Sequence, residues 1–338
     1  MATRARLLLA LCSPLATASS FCVPKISQRG IAISKQGRTW RTVSRAVVNS
    51  DADAAMSTHS KQSGPYGGDF AGMYATFSPL TGELVRVPEN LVPESMIEWG
   101  QVPASLEVLL SEDFVGDDEQ LERKTDQVLP AVGCGVDNLD MMRVTEMIQT
   151  SSMNVFEDQT AALEHNLSPL TNAPRIHTET TFSLPLALVP EEDDKKYAQR
   201  VRVTFDIQPT LKKLSSPVGV TVERQTSSTS SKGSIGVGGG LHGSTVMSLV
   251  GSDAINKPFA EGESVDIKDV FDDGEGTFTT LSLPGNIIVR YGADLGLEEI
   301  LWQVEVSHIS ENAGTWTLVK RVYDAQNGER MDLEHMIE

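Results

Sequence analysis

Residues 200–208 read Arg-Val-Arg-Val-Thr-Phe-Asp-Ile-Gln, which puts Val201, Val203, Phe205 and Ile207 on one side of an extended chain and Arg202, Thr204 and Asp206 on the other. A period of two predicts a half-buried β-strand. Weaker alternation recurs over 69–77, 82–87, 105–110, 142–149, 177–189, 218–224, 277–283, 286–291, 300–309, 315–323 and 331–337. Gly, Pro, Asn and Asp separate these runs. Helical spacing is confined to 92–98 and to the acidic stretch 117–125. Many short strands with turn residues between them predict an all-β, mainly antiparallel fold, an up-and-down barrel or a sandwich with long loop insertions and few short helices.

The hairpins are clearest near the end of the chain. Ser310-Glu311-Asn312-Ala313-Gly314 joins 300–309 to 315–323, and Asp324 to Glu329, which contains Asn327-Gly328, leads into 331–337. Asn and Gly take positive φ at little cost, so both connections suit tight turns. Three strands joined this way form a meander, the unit from which such barrels close. Two segments read as excursions: 112–126, expected to be a solvated acidic loop or short helix, and 226–243, Ser-rich and then Gly-rich.

Charge changes the picture at the other end. The first fifty residues hold eight Lys and Arg and no acid. Without them, 20 of the 28 basic residues remain against all 46 acids, a formal charge of −26. Arg4 and Arg6 precede the apolar run 7–11 and the small residues Ala18, Ser19 and Ser20, the grammar of a signal peptide. The Ser-, Thr-, Lys- and Arg-rich stretch 21–50 reads as a transit peptide. The two in series, with Phe21 at the joint, resemble the bipartite presequence of algae whose plastids derive from an engulfed red alga. The expected organisation is therefore a signal peptide over 1–20, a transit peptide over 21–50, a flexible lead-in over 51–68 and one barrel domain over 69–338, with a soluble protein in the plastid stroma. No run reaches the ~18 to 20 apolar residues of a spanning helix. A charge near −26 opposes nucleic-acid binding, which rewards clustered Lys and Arg.

Local motifs for chemistry are sparse. Cys134 is the one cysteine beyond the leader, which holds Cys12 and Cys22. It cannot build a disulfide framework alone and reads as idle. Gly238 to Gly243 matches G-x-G-x-x-G, but a Ser-rich stretch precedes it and no helix pattern follows, so 236–243 reads as a mobile loop at a barrel mouth. His59, His165, His177, His242, His308 and His335 show no metal-ligand spacing, and the acidic runs lack the interleaving of a calcium loop. No metal or cofactor is expected from these patterns.

What remains is a cavity argument, since barrels of about eight strands can hold one small ligand. On 300–309, Trp302, Val304, Val306 and His308 share one face, and Leu301, Gln303, Glu305, Ser307 and Ile309 the other. On 315–323, Thr317, Val319, Arg321 and Tyr323 oppose Trp316, Leu318, Lys320 and Val322.

These strands carry a family resemblance. Leu283-Pro284-Gly285-Asn286-Ile287-Ile288-Val289, Val304-Glu305-Val306-Ser307-His308-Ile309 and Val319-Lys320-Arg321-Val322-Tyr323-Asp324, with Gly328 and 331–338, resemble the lipocalin-like chromophore lyases of cyanobacteria and red-lineage plastids, the CpcS/CpeS type, and their larger relatives. Phe70-Ala71-Gly72-Met73-Tyr74-Ala75-Thr76-Phe77-Ser78-Pro79, followed by Gly82-Glu83-Leu84, resembles their opening strand and turn. Ser307-His308 departs from the Gly-Trp usual there, and 111–140 has no counterpart. The resemblance implies a calycin barrel that binds a bilin or other tetrapyrrole, ahead of carotenoid or lipid. It implies Arg321 paired with a propionate, Trp302 and Tyr323 packed on the rings and Glu305 near pyrrole nitrogens; His308 joins them as a candidate ligand contact because alternation puts it on the Trp302 face. Three roles stay open: ligand binding, transfer of a bilin to a phycobiliprotein cysteine as a lyase, and a non-enzymatic assembly factor docking a photosynthetic or other plastid partner through an acidic surface.

Overall fold

In the computed structural model, the described residues are 41–46, 65–92, 94–100, 102–116, 119–128, 142–167, 174–184, 199–225, 276–294, 301–310 and 315–338. The fold is almost entirely antiparallel β and forms a nearly closed barrel. In chain order the strands are β1 (Arg41–Ala46), β2 (Gly68–Phe77), β3 (Leu84–Val85), β4 (Ser105–Val115), β5 (Gln120–Val128), β6 (Met142–Gln149), β7 (Met153–Val155), β8 (Ala161–Asn166) and β9 (Ile176–Leu184). There follow β10 (Gln199–Gln208), β11 (Lys213–Leu214), β12 (Val218–Gln225), β13 (Gly276–Leu283), β14 (Ile287–Asp294), β15 (Leu301–Ser310), β16 (Thr315–Asp324) and β17 (Arg330–Ile337). Among the described residues there is one α-helix, α1 (Glu94–Glu98), inside the 92–98 stretch of helical spacing. Among the described residues no helix is long and apolar enough to cross a membrane.

The strands divide into two sheets. One has the order β1-β17-β16-β15-β14-β13, the C-terminal meander extended at both sides. The other has the order β6-β5-β4-β2-β12-β10-β9-β8-β7 and curls until its ends approach each other: Leu121 and Ile148 of β5 and β6 share an apolar cluster with Ala161 and Leu163 of β8. Tyr66, within the segment expected as a lead-in, is buried in that cluster.

The alternation of 200–208 decides how the sheets meet. Val201, Val203, Phe205 and Ile207 face the six-stranded sheet and pack with Phe77, Phe182, Val218 and Val220 against Val289, Trp302, Val304, Val306, Val319 and Leu333. Arg200, Arg202, Thr204 and Asp206 point the other way, into the hollow of the curled sheet. Turn chemistry fits the connections. Gly285 and Asn286 take φ of 80° and 58° between β13 and β14. Gly328 takes φ 77° in the Asp324–Glu329 turn, where a Cβ would lie 2.6 Å from Pro174.

The segment 112–126 is not a solvated loop or helix. β4 runs to Val115 and β5 starts at Gln120, in register from Glu107↔Val128 to Val115↔Gln120. Its charges are acids interleaved with Arg123 and Lys124, and the pleat sends Leu121 and Arg123 inward where carboxylates wait. Local acidity thus reports pairing here, not solvation. The stretch 226–243, including the glycine tract, and Cys134 lie outside the described residues.

Candidate functional site

The hollow of the curled sheet is lined by charge. Arg123 of β5, Arg200 and Arg202 of β10, Glu112 of β4, Glu179 of β9 and Glu223 of β12 are all buried. They form a closed ring of alternating sign. Arg123 donates to Glu112 at 2.9 Å and through both terminal nitrogens to Glu179 at 2.7 and 3.0 Å. Arg200 donates to Glu112 at 2.9 Å and to Glu223 at 2.5 Å. Arg202 donates to Glu223 at 2.9 and 2.6 Å and reaches Glu179 at 3.4 Å.

Three positive and three negative groups cancel, which is how a water-poor interior tolerates six ions. Burial alone would push Glu112 up, but Arg200 and Arg123 beside it bring its carboxyl down to about 2. Glu179 is likewise held well below the usual carboxylate range, burial being outweighed by Arg123 and Arg202. Arg200 stacks on Phe70, its guanidinium 3.6 Å from the ring centroid, and Tyr66 lies 5.8 and 5.9 Å from Arg123 and Arg200. Ring and aromatics close one end of the hollow.

The other end is more open. There Asp206 of β10 lies 2.8 Å from His177 Nδ1 and accepts from Arg175 Nη2 at 2.5 Å. His165 of β8 meets His177 with ring centroids 4.9 Å apart. Burial and the neighbouring His177 hold the His165 imidazole below its usual range. Tyr74 of β2 points to the same end, its phenol pushed up by burial despite Arg202. Gly219 makes room for it, because a Cβ there would come within 2.7 Å of the Tyr74 ring. Beside these polar groups Val87, Val92 and Leu106 form an apolar cluster with Tyr74, Ile97 and Val102. Tyr74 therefore joins this polar end of the hollow to an apolar cluster. Arg175 is 44% and His177 26% exposed in their side chains, so solvent reaches this end.

The residues singled out from the sequence occupy a different place. Trp302, His308, Arg321 and Tyr323 share one face, since β15 and β16 pair Trp302↔Tyr323 and Val304↔Arg321. That face lies between the two sheets. Trp302 and Tyr323 are packed ring against ring at 5.9 Å and fully buried. Arg321 donates to Thr180 Oγ1 at 2.8 Å and to the Glu179 carbonyl at 2.7 Å, and its Nε lies 2.9 Å from Glu164. Tyr323 donates to Glu164 at 2.9 Å, its phenol pushed up by burial and by that carboxylate. His308 stacks near Phe182, and burial brings its imidazole down to about 4. Glu305 lies on the opposite face, 3.3 Å from Arg290, raised by burial that outweighs Arg290 and Lys320. The fold thus unites four of the five and directs the polar atoms of Arg321 and Tyr323 to protein partners.

Reading the sequence did not single out the charge ring or the mouth. Arg200, Arg202 and Asp206 were legible as the polar face of one strand, but a polar face ordinarily means solvent. Among the described residues no group of three or more His, Cys, Asp or Glu is placed to hold a metal ion.

Fold and site define a β-barrel protein with a charged lumen. No protein-family model matches the sequence, and no curated protein matches it. A similar solved structure is a protein of unknown function of the DUF3598 family from Nostoc punctiforme, 11% identical, with a TM-score of 0.42 over 81% of this chain and 96% of that one.

Proposed function

We propose that this barrel is a binding protein for a small, ring-bearing acid, with a bilin or another tetrapyrrole as the leading candidate, acting in the plastid stroma after import. The observation that carries the reading is the mouth: Arg175 and His177 meet at Asp206 with His165 against His177, and Tyr74, at the same end, packs on Val87, Val92 and Leu106. Such a ligand presents carboxylates to the first set and rings to the second. The inner half of the lumen is occupied by its own ions, and Arg321 is engaged between the sheets by Thr180, Glu179 and Glu164, so this reading puts the ligand at the mouth. Trp302, Arg321 and Tyr323 then hold the two sheets together behind it.

The test is expression of the chain in cells that make bilin or haem, followed by the absorption spectrum of the purified protein. A coloured protein whose colour fades in Arg175→Ala and His177→Ala, with unchanged melting, supports the reading. Colour handed on to a separate apo-phycobiliprotein extends it to lyase activity. A colourless protein that co-purifies with subunits of a photosynthetic complex favours the assembly factor, a reading supported by the packed Trp302–Tyr323 interface. The N-terminus of the protein isolated from its cells tests the import reading.

A further inference from the structure

One end of the curled sheet holds most of the apolar side chains that the fold leaves in water. β2, β8 and β10 finish at this end and β4, β9 and β12 begin there, as the pairs Asn166↔Ile176, Ile207↔Ile176, Val218↔Phe77 and Ala75↔Ser105 require. Among the described residues ten large apolar side chains are strongly exposed, and six of them lie on the connections β2–β4, β8–β9 and β10–β12. These are Leu80, Leu84, Val85, Trp99, Leu167 and Leu211.

Packing does not account for them. Val87, Val92, Ile97 and Val102 of the β2–β4 connection turn down onto Tyr74 and Leu106, while Leu80 and Trp99 of the same connection stay 78% and 72% exposed. A turn fixes the difference at Trp99: Gly100, at φ 68°, donates its N–H to the Ile97 carbonyl at 3.0 Å, which closes the chain after α1 with Ile97 inside and Trp99 outside. The apolar end also surrounds the mouth, since Arg175 and His177 follow Leu167 on the β8–β9 connection and its return into β9.

The spacing and the charges select the partner. A protein partner buries one contiguous, closely fitted patch. A lipid surface instead takes separate apolar side chains from several loops, with an aromatic ring such as that of Trp99 at headgroup depth. Exposed Arg86, Lys212 and Lys213 stand among exposed Glu83, Glu94 and Glu98 on these connections. Both signs are therefore present, which matches headgroups carrying a phosphate and an ammonium together. A chain at −26 beyond its first fifty residues is repelled by an anionic surface. The geometry points to this end as a docking face for a zwitterionic lipid surface, which opens the mouth onto the bilayer. The docking requires no ligand in the lumen.

Flotation of the full chain with phosphatidylcholine vesicles tests it. Trp99→Ser/Leu211→Ser should lower the partition coefficient at least about tenfold with unchanged melting. Val144→Ser/Met147→Ser, exposed on β6 and not on these connections, should leave it unchanged. Salt at about 0.5 M should not release the protein, because apolar insertion is not screened. In a Trp40→Phe background, where Trp302 and Trp316 are buried, brominated phosphatidylcholine should quench the tryptophan emission. Adding Trp99→Phe should abolish that quenching. Equal partition of the Trp99→Ser/Leu211→Ser variant, release by salt, or quenching that survives Trp99→Phe overturns the inference. A lipid-free dimer that Trp99→Ser breaks would give the face to a second copy and overturn it too.

Discussion

Arg123 and Glu179 belong to β5 and β9, with four strands between them in the sheet, yet they meet in a two-pronged bond at 2.7 and 3.0 Å. The contact is made across the hollow. It joins opposite walls of the curled sheet and completes the ring of six ions.

Because the ring is balanced, removing one member should harm more than removing a neighbouring pair. Arg123→Leu or Glu179→Leu alone strands a buried charge, at a cost of ~3–5 kcal/mol. The double variant Arg123→Leu/Glu179→Leu leaves Glu112, Arg200, Glu223 and Arg202 still balanced. Its urea midpoint is expected above that of either single variant.

The same carboxylates set the acid limit. Their folded pKa values lie below the usual 4.5, with Glu112 at about 2. A depressed acid contributes stability that is complete above its unfolded value and is lost as pH falls through the folded one. Stability should therefore decline below about pH 4.5 and steepen toward pH 2. Glu112→Gln, measured by thermal melting, should flatten that decline while lowering the melting point at pH 7.

Glu107 works with the opposite sign. It is buried on the other face of β4, and burial lifts its carboxyl to about 7. An acid raised above its unfolded value of 4.5 destabilises the fold as pH rises through that window. Glu107→Gln should raise the melting temperature at pH 8 and leave it unchanged near pH 4. A gain of equal size at both pH values would refute the assignment.

How much of this was legible in the chain follows from what alternation encodes. The period of two at Val201, Val203, Phe205 and Ile207 gave the strand and its core face, and Asn327-Gly328 gave the last turn. Periodicity does not say what covers the second face. Arg200 and Arg202 look solvent-bound until Glu112, Glu179 and Glu223 arrive from three other strands, 21 to 88 residues away in sequence. Glu112 and Arg123 were hidden for the same reason, inside a stretch whose net charge resembles a loop. Trp302 and Tyr323 were placed on one face by alternation alone. That Arg321 spends its N–H groups on Thr180 and Glu179 required β9 to be laid against β16, which no local pattern specifies.

Glu164 on β8 is the pin between the sheets. Its carboxylate takes Tyr323 Oη at 2.9 Å, Arg321 Nε at 2.9 Å and Arg330 Nη1 at 3.1 Å, three groups from the six-stranded sheet on one side chain of the curled one. Arg321 is fully buried, so Glu164→Ala leaves its charge with a carbonyl and a hydroxyl but no counter-ion, a loss of about 3 kcal/mol. Tyr323→Phe removes one hydrogen bond, about 1 kcal/mol. Once Glu164 is gone the Tyr323 hydroxyl has lost the acceptor it serves, so adding Tyr323→Phe should cost almost nothing more. A urea-unfolding double-mutant cycle reads this coupling directly. Full additivity of the two changes would mean that the sheets are held by apolar packing alone and that Glu164 is an onlooker.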